Sequence, residues 1–415
     1  MIKGLIKKFP YCRFCKNRKL KKVIDLGIQP AANAFLYKEQ LNGKENRFPL
    51  KVNFCSVCGQ LQLTHVVSPD LLFRDYVYVS STSPVFIAHF EKYSKSVYKK
   101  LKLNTNSFVI DIGSNDGILL KPFKALGVKI LGVDPANKIA EEATKNGILT
   151  LPEYFDQQLV KKIIKKWGFA DVITANNVFA HVPNIDELIL AVRNLLKPEG
   201  VLVIEAPYLV DFLKKNLFDT IYHEHVSYLS VRPLVTLFQR FNMMVFDVEE
   251  TDSHGGSIRV FIKKNESKRR IREIVEKFIK TEKSLGLGKI QTYQKFAKKI
   301  EQNKKDLKKL LKQLKSQGKS IIGYGAPAKG NTLLNYFNIG TQILDYIVED
   351  SQYKQGLFTP GMHIPVVSPK EISKTNPDFI FILAWNFAKP IMKKLDQFKK
   401  DGGRFIVPVP APKIY

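Results

Sequence analysis

The chain has 415 residues, of which 45% are apolar and 11% aromatic, and its formal charge is +28. This composition excludes an intrinsically disordered protein, and the length predicts two or three domains. The sequence has no run of about 18 apolar residues and no secretory signal peptide at its N-terminus, so we expect a cytoplasmic protein without a membrane span.

The positive charge comes mainly from lysine, because only 12 of the 66 basic residues are arginine. Recognition of phosphates and bases favours the forked guanidinium group of arginine. Many lysines also lie in helical runs such as residues 304–315, a pattern typical of a solvated helix face. A nucleic-acid partner is therefore not expected, although attraction of anionic ligands stays open.

All four cysteines lie in the first 58 residues, as the pairs Cys12/Cys15 and Cys55/Cys58. Each Cys-x2-Cys pair can form a tight turn with both thiolates on one side, and two such turns complete a tetrahedral zinc site. The alternatives are disulfides or a redox pair. Both are disfavoured because we expect a cytosolic protein, and the chain has no further cysteine. Four thiolates leave no open position, so the zinc is expected to be structural. The following segment, 73–84, is a candidate ligand-facing loop.

A strand, a glycine turn, a helix and a second strand are predicted from residue 108 onward. The apolar run 108–112 leads into the turn Gly113-Ser114-Asn115-Asp116-Gly117, and the second strand ends in Asp134, 23 residues after Asp111. This order is that of one half of a doubly wound nucleotide-binding fold.

The glycine turn does not have the spacing of a dinucleotide-binding turn. An acid at the end of the first strand disfavours a pyrophosphate and suits the cationic amino-acid part of S-adenosylmethionine, while a second acid can pair with ribose hydroxyls. A helix-capping turn in an unrelated fold is the alternative, which explains the glycines but not the paired acids. The candidate cofactor-binding residues in this region are Asp111, Gly113, Asn115, Asp116, Gly117 and Asp134.

The next predicted strand, within residues 170–182, runs into the polar residues Asn176, Asn177 and His181. Ligands of open α/β sheets bind outside the carboxyl ends of the strands, so the two amides join the cofactor-binding candidates. An amphipathic helix at 185–200 and a buried strand at 201–207 continue the α/β alternation.

Residues 222–225 bring Tyr222, His223, Glu224 and His225 together in sequence. Adjacent side chains point apart, so only some of them can face one ligand. Histidine can act as a general base, a carboxylate can orient it, and tyrosine can donate to a developing oxyanion. A metal site is disfavoured because adjacent side chains point in different directions. The other alternative is a polar loop whose side chains all have hydrogen-bond partners. With His181 upstream, the cluster favours catalysis.

The remainder of the chain is predicted to contain a charged helical connector at 264–318 and a second α/β unit. A strand, glycine turn and helix at 320–337 are followed by strands at 343–350 and 379–388. This glycine turn could accept a phosphate at its helix N-terminus, where Lys329 would add positive charge. A unit that merely packs against the rest is an equal alternative.

The two cysteine pairs and the motifs DIGSNDG, YHEHVSY and GYGAPAKG together resemble the zinc-containing sugar C-methyltransferases, which act on nucleotide-linked 4-keto-deoxysugars. The resemblance covers nearly the whole chain and keeps the order of its parts. It implies an α/β protein with a zinc-binding domain (1–80), a Rossmann-like class I methyltransferase domain (81–263), the helical connector, and a C-terminal Rossmann-like domain (319–415) that helps hold the nucleotide-sugar.

The resemblance also implies that Tyr222, Glu224, His225 and a tyrosine after the zinc module, Tyr76, line the sugar site, and that the cofactors are S-adenosylmethionine and a structural zinc ion. Methylation of oxygen or nitrogen on a small molecule or a sugar is the nearest alternative, since His225 could deprotonate a hydroxyl as readily as a carbon acid. A zinc-containing nucleic-acid-binding protein is an alternative of another class, which the shortage of arginine disfavours.

Overall fold

The computed structural model describes residues 4–74, 81 and 84–415. Its first part contains short strands and two helices. They are β1 (Ile6–Lys8), β2 (Leu20–Pro30), β3 (Arg47–Cys55), β4 (Leu61–Leu63), β5 (His65–Val67), α1 (Pro69–Phe73) and α2 (Pro84–Leu101). The buried and half-buried residues of β3 alternate along the strand, as expected for a sheet with one face in the core.

The central part alternates strands and helices. They are β6 (Phe108–Ile112), α3 (Leu120–Ala125), β7 (Lys129–Val133), α4 (Asn137–Lys145), β8 (Thr150–Leu151), α5 (Gln157–Trp167), β9 (Ala170–Asn176), α6 (Ile185–Leu195), β10 (Leu196–Pro207), α7 (Leu209–Lys214), β11 (Ser227–Tyr228), α8 (Val231–Gln239), β12 (Met243–Thr251) and β13 (Ser257–Lys264).

The last part begins with two helices and ends in a second α/β unit. Its elements are α9 (Glu273–Ser284), α10 (Ile290–Ser316), β14 (Ile321–Tyr324), α11 (Ala328–Phe337), β15 (Ile347–Val348), β16 (Val366–Val367), α12 (Glu371–Thr375), β17 (Phe379–Ile382), α13 (Ala388–Lys394), α14 (Asp396–Lys400), β18 (Arg404–Val407) and β19 (Lys413–Ile414).

The strands form four sheets. β1 and β5 make an antiparallel ribbon, and the order β11-β4-β3-β2 makes an antiparallel sheet. The central sheet has the order β12-β13-β10-β9-β6-β7-β8, parallel from β10 to β8. The last sheet has the order β16-β15-β14-β17-β18-β19. Strand β11 belongs to the central part of the chain, yet it completes the sheet next to the cysteines.

Both α/β sheets have a topological switch point, where successive connections leave to opposite sides. In the central sheet it lies between β6 and β9, and in the C-terminal sheet between β14 and β17. Crevices outside the carboxyl ends of such strand pairs are the usual ligand sites of open α/β folds. The two switch points therefore indicate where ligands can bind.

Three predicted elements are shorter than expected. The helix predicted at 185–200 ends at Leu195, and residues 196–200 begin β10 with a register shift before Val201. Pro198 lacks the N–H that another helical turn requires. The strands predicted at 343–350 and 379–388 are confined to Ile347–Val348 and Phe379–Ile382.

One hydrophobic core runs through all three parts of the chain. Phe54 of β3 packs against Tyr293 of α10 with ring centroids 4.8 Å apart, and Phe218 stacks on Phe337 of α11 at 5.1 Å. Within the described part of the chain, none of the helices has the length and apolar character to cross a membrane.

Candidate functional site

The four cysteines converge at one point between the two Cys-x2-Cys turns. The sulfurs of Cys12 and Cys58 lie 3.6 Å apart, as do those of Cys15 and Cys55, and all four ligand atoms lie within 4.8 Å of one another. Four sulfurs at about 2.3 Å from a tetrahedral zinc ion stand about 3.8 Å apart. Disulfide sulfurs would lie at about 2.0 Å, so the arrangement fits zinc and not two disulfides.

The glycine turn after β6 requires its two glycines. Gly113 and Gly117 have φ angles of +67° and +79°, and a Cβ on either would approach Val178 or Ile148 to 2.3 Å or 2.7 Å. Asn115 also adopts a left-handed conformation, with φ of 51°. The turn is therefore held close to neighbouring side chains in a shape that few other sequences can adopt.

The two strand-end acids lie beside this turn and are both buried. Asp111 Oδ1 accepts a hydrogen bond from Thr174 Oγ1 at 2.6 Å, and burial raises the pKa of Asp111 to about 7. Asp134 accepts from the backbone N–H groups of Asn115 at 2.8 Å and Ala136 at 2.9 Å, while burial raises its pKa. Each carboxylate oxygen keeps a second lone pair for a ligand.

Several polar atoms around the turn lack a hydrogen-bond partner among the described residues. They include Ser114 Oγ, Asp116 Oδ1 and Asn177 Oδ1, all buried. Asn176 lies close to Asp111 and partly opposes the rise that burial causes in the pKa of that carboxyl. The amide atoms of Asn176 make no hydrogen bond of good geometry among the described residues. Buried polar atoms without partners cost free energy, so this cradle fits a polar ligand such as the amino-acid and ribose parts of S-adenosylmethionine.

Three of the predicted catalytic side chains meet at the carboxyl edge of the central sheet. The ring of His225 lies 4.1 Å from that of Tyr222 and 4.9 Å from that of His181. The nitrogen Nδ1 of His225 lies 2.8 Å from the carbonyl oxygen of Thr220. A carbonyl can only accept, so Nδ1 carries the proton in neutral His225 and Nε2 keeps the lone pair.

The other two residues of the Tyr-His-Glu-His segment have hydrogen-bond partners in the N-terminal part of the chain. His223 is buried, lies with Nε2 3.2 Å from the carbonyl oxygen of Phe48, and has its pKa lowered to about 4 by burial. Glu224 is 3% exposed, and its Oε1 accepts from Asn33 Nδ2 at 2.7 Å. The expectation that adjacent side chains diverge is therefore met. Tyr76 lies outside the described residues.

The sequence patterns did not single out every residue that lines this region. Asn33 reaches Glu224 across 191 positions of the chain and belongs to no motif with its own spacing signal. Phe73, the first residue of the candidate ligand-facing segment 73–84, stacks on His181 with ring centroids 5.8 Å apart. The carbonyl of Thr220 is a backbone group, so no residue type could have identified it.

A residue next to the C-terminal sheet contacts the segment that precedes Tyr222. Trp385, just after β17, donates its indole N–H to Asp219 at 2.5 Å. Lys329, at the start of α11, lies 4.3 Å above the Trp385 ring, and burial lowers its pKa to about 8 while the Asp219 carboxylate opposes the shift. The switch point of this sheet thus lies next to residues that precede Tyr222.

Three family models match successive parts of the chain. A zinc binding domain matches residues 12–73, a methyltransferase domain matches residues 87–248, and a C-methyltransferase C-terminal domain matches residues 252–410.

Two curated proteins illustrate the range of similarity. The C-methyltransferase NovU of Streptomyces niveus is 36% identical over 413 residues, which covers 100% of this chain and 98% of NovU. A ubiquinone biosynthesis O-methyltransferase of Rhodopseudomonas palustris is 30% identical over 107 residues, 26% of this chain and 42% of that protein. The similarity to NovU therefore extends over all parts of the molecule.

Among solved structures, magnesium protoporphyrin IX methyltransferase from Synechocystis with bound S-adenosylmethionine is 14% identical, with a TM-score of 0.32 over 42% of this chain and 79% of that one. The match to NovU, by contrast, runs from one end of the chain to the other. The chain therefore belongs to the S-adenosylmethionine-dependent C-methyltransferases that carry a zinc-binding domain.

Proposed function

We propose that this C-methyltransferase methylates a carbon next to the ketone of a nucleotide-linked 4-keto-deoxysugar. One observation carries the proposal. His181, Tyr222 and His225 come together from two separate segments, and the proton of His225 is directed to the Thr220 carbonyl. This leaves one basic nitrogen, Nε2, beside a phenol and a second imidazole.

The arrangement suits removal of a proton from carbon. A C–H group next to a ketone is acidic because the carbanion delocalises onto oxygen as an enolate. His225 Nε2 takes the proton as general base, and Thr220 stabilises the imidazolium through its hydrogen bond to Nδ1–H. The Tyr222 hydroxyl donates to the developing enolate oxygen. His181 and Glu224 complete the polar wall of the sugar site.

S-adenosylmethionine supplies an electrophilic methyl group to the carbanion. We propose that the cradle around the glycine turn holds it, with Asp111 facing the ammonium group and Asp134 facing the ribose hydroxyls. Backbone contacts come from Gly113 and Gly117, and side-chain contacts come from Asn115, Asp116, Asn176 and Asn177. The catalytic contribution of these residues is the alignment of two bound substrates, which can replace a large part of the entropic barrier.

The nucleotide part of the substrate is assigned to the C-terminal switch point. No side chain among the described residues caps the N-terminus of α11, so its first N–H groups can donate to a phosphate, and Lys329 lies in the first turn. Because burial lowers the pKa of Lys329 to about 8, a phosphate beside it would favour its charged form. The link from Trp385 to Asp219 places this crevice close to the Tyr222–His225 segment.

Mass spectrometry of the reaction tests the proposal. The protein is incubated with S-adenosylmethionine and dTDP-, GDP- and CDP-linked 4-keto-6-deoxysugars in deuterated water. We expect a product heavier by one methylene group in which the exchangeable ring proton next to the ketone is lost. A methylated product that retains every ring C–H, or no product with any of these sugars despite donor binding, would contradict it.

A further inference from the structure

We propose that Arg13, which lies between the zinc ligands Cys12 and Cys15, is a positioning residue for His225 and that the first cysteine turn aligns His225 with His181. This inference rests on the proposed function only in taking His225 as the base. It assigns the zinc module a part in the geometry of the reaction, in addition to the folding of the N-terminal sheet.

The side chain of Arg13 connects the cysteine turn to the segment that carries His225. Arg13 is 1% exposed, and its Nη1 donates to the carbonyl oxygen of Leu63 at 3.1 Å. Its Nη2 donates to the carbonyl oxygen of Val226, the residue after His225, and to Ser227 Oγ at 3.2 Å. The guanidinium group therefore joins β4 to the start of β11.

The backbone of Arg13 is itself held from both sides. Its N–H donates to Gln62 Oε1 at 2.8 Å, and the ligands Cys12 and Cys15 flank it in the turn. A metal that ties both cysteines to Cys55 and Cys58 limits how far this backbone can shift. The direction of the guanidinium group is thus determined by the closed four-sulfur site.

His225 is consequently fixed at two points. On one side its Nδ1–H donates to Thr220, and on the other the Val226 carbonyl accepts from Leu63 N at 3.0 Å and from Arg13. A loss of the Arg13 contact leaves the first anchor intact but weakens the second, which then keeps only the Leu63 N–H. The ring of His225 would then rotate relative to Tyr222 and His181.

The same cysteine turn also contacts the helix that follows His181. Lys16 Nζ lies 2.7 Å from Asp186 Oδ2 in α6, which begins four residues after His181. Arg240, just after α8, pairs with Asp186 at 3.1 Å and donates to the carbonyl oxygen of Phe14. Residues 12–16 therefore touch both segments that present the histidine pair.

Arginine is an expensive side chain to bury for packing alone. Among the described residues, the hydrogen-bond partners of the Arg13 side chain are backbone carbonyls and one hydroxyl, and the negative charge near it is that of the cysteine thiolates. Removal of a charged group from water costs free energy, and an apolar side chain of similar length would avoid that cost. The forked donors therefore indicate a demand for orientation.

The test compares Arg13→Met and Arg13→Lys with Arg232→Ala in the full-length zinc-loaded protein. Arg232 donates to the carbonyl of Val57 in the second cysteine turn at 3.2 Å, so it is a matched arginine away from the histidines. Zinc content, S-adenosylhomocysteine affinity, kcat and KM are measured. In parallel, NMR of histidine-labelled protein follows the ring signals of His225 and His181 as pH is varied.

We expect Arg13→Met to keep one zinc ion per chain and donor affinity within about threefold, while kcat falls at least about thirtyfold, KM changes little, and the pH titration of the His225 ring shifts. Arg13→Lys should recover part of kcat, and Arg232→Ala should match the unaltered protein. Unchanged histidine signals in both Arg13 variants would overturn the proposal, as would a parallel loss of zinc and donor binding in both.

The NMR readout needs no sugar substrate. If no nucleotide-sugar is methylated by the unaltered protein, the proposed function fails, yet the shift of the His225 signals still decides whether Arg13 positions that ring.

Discussion

At the scale of single residues, one backbone hydrogen bond determines which nitrogen of His225 can accept a proton. His225 and His223 are two positions apart, but they have different environments. His225 is half-buried, with Nδ1 against Thr220 and with Tyr222 and His181 around its ring. His223 is buried against Phe48, and burial lowers its pKa to about 4, so it stays neutral near pH 7. Only the environment separates a candidate base from a packed histidine.

Replacement of the base tests this assignment. His225→Asn should reduce kcat by about 10²–10⁴-fold, because the general base is lost, while S-adenosylhomocysteine affinity stays unchanged. Tyr222→Phe should cause a smaller loss, since one oxyanion donor is removed. Steady-state kinetics and calorimetry measure both effects. His65→Asn, in β5, is the control and should retain full turnover. Normal kcat in the His225 and Tyr222 variants would show that the assignment is wrong.

Donor affinity should depend on pH through Asp111. Burial raises the pKa of Asp111 to about 7, so below this pH the carboxyl keeps its proton in the ligand-free protein. An ammonium group pairs with the carboxylate, so affinity should fall by up to about tenfold per pH unit below 7 and be level above it. Calorimetry with S-adenosylhomocysteine between pH 5.5 and 8 measures this. Asp111→Asn should bind weakly with no such slope, and an equal slope in the variant would refute the role.

Ionisation of Asp111 favours donor binding in the proposed role, but it lowers the stability of the ligand-free fold. The folded state binds this proton more tightly than the unfolded chain, so the contribution to stability is fully present below the unfolded pKa of about 3.8 and is lost as pH rises through about 7. In the proposed role of Asp111, donor binding would use a carboxylate whose ionisation costs stability in the free protein.

At the scale of secondary-structure elements, a buried charge cluster connects α2 to the end of the central sheet. Glu205 of β10 is 0% exposed and accepts from Arg259 of β13 at 2.8 Å and 3.0 Å. His89 of α2 lies with Nε2 2.6 Å from the other oxygen. Burial would raise the pKa of Glu205, but His89 and Arg259 hold it below its usual value. The cluster fixes α2 above the carboxyl edge where Asp111 and Asn176 lie.

Breaking this cluster should destabilise the protein. Glu205→Gln removes the buried anionic partner of Arg259 and leaves it only a 3.4 Å contact with the more exposed Glu249. The free energy of unfolding in urea at pH 7 should therefore fall by about 3–5 kcal/mol. Glu266→Gln, which removes an exposed pair with Arg193, is the matched control and should change it by less than about 1 kcal/mol. Equal effects of the two substitutions would argue against the buried cluster as an anchor.

The cluster also predicts how the stability of the protein changes with pH. Because the pKa of Glu205 is lowered in the folded state, its stabilisation is present above the unfolded pKa of about 4.5 and is lost as pH falls through the folded value. Glu205→Gln should therefore lose most of its difference from the unaltered protein in acid.

At the scale of the whole molecule, the candidate site depends on contacts among all three parts. Asn33 from the N-terminal part reaches Glu224, Asn331 of α11 donates to the carbonyl of Ala32 at 2.8 Å, and Trp385 reaches Asp219. We propose domain boundaries at residues 80, 263 and 318. Strand β11 pairs with β4 across the first of these boundaries. The sugar site would then lie where the domains meet.

Removal of the Trp385 contact tests this arrangement. Trp385→Phe deprives buried Asp219 of a donor, so the free energy of unfolding should fall by about 1–3 kcal/mol, and KM for the nucleotide-sugar should rise while donor affinity is kept. Trp167→Phe at the end of α5 is the matched control. Denaturant unfolding and steady-state kinetics measure the effects. If both variants behave alike, the contact between the two α/β units has no special part in substrate binding.

Local patterns were sufficient for several features of this protein. The spacing of Cys12, Cys15, Cys55 and Cys58 predicted a four-sulfur site, and the sulfurs do converge. The apolar run before Gly113 predicted β6, since a strand buried on both faces needs consecutive apolar residues. Such features depend on residue type and short spacing, which the sequence displays directly.

Only the tertiary structure decided which side chains meet at the candidate site. The proton on Nδ1 of His225 depends on the Thr220 carbonyl, and the contact of Arg13 with Val226 spans 213 positions of the chain. Backbone carbonyls are the same in every residue, so a hydrogen bond to one leaves no mark on composition or periodicity. The path of the chain through the four described sheets determines these partners, and with them which histidine is the candidate base.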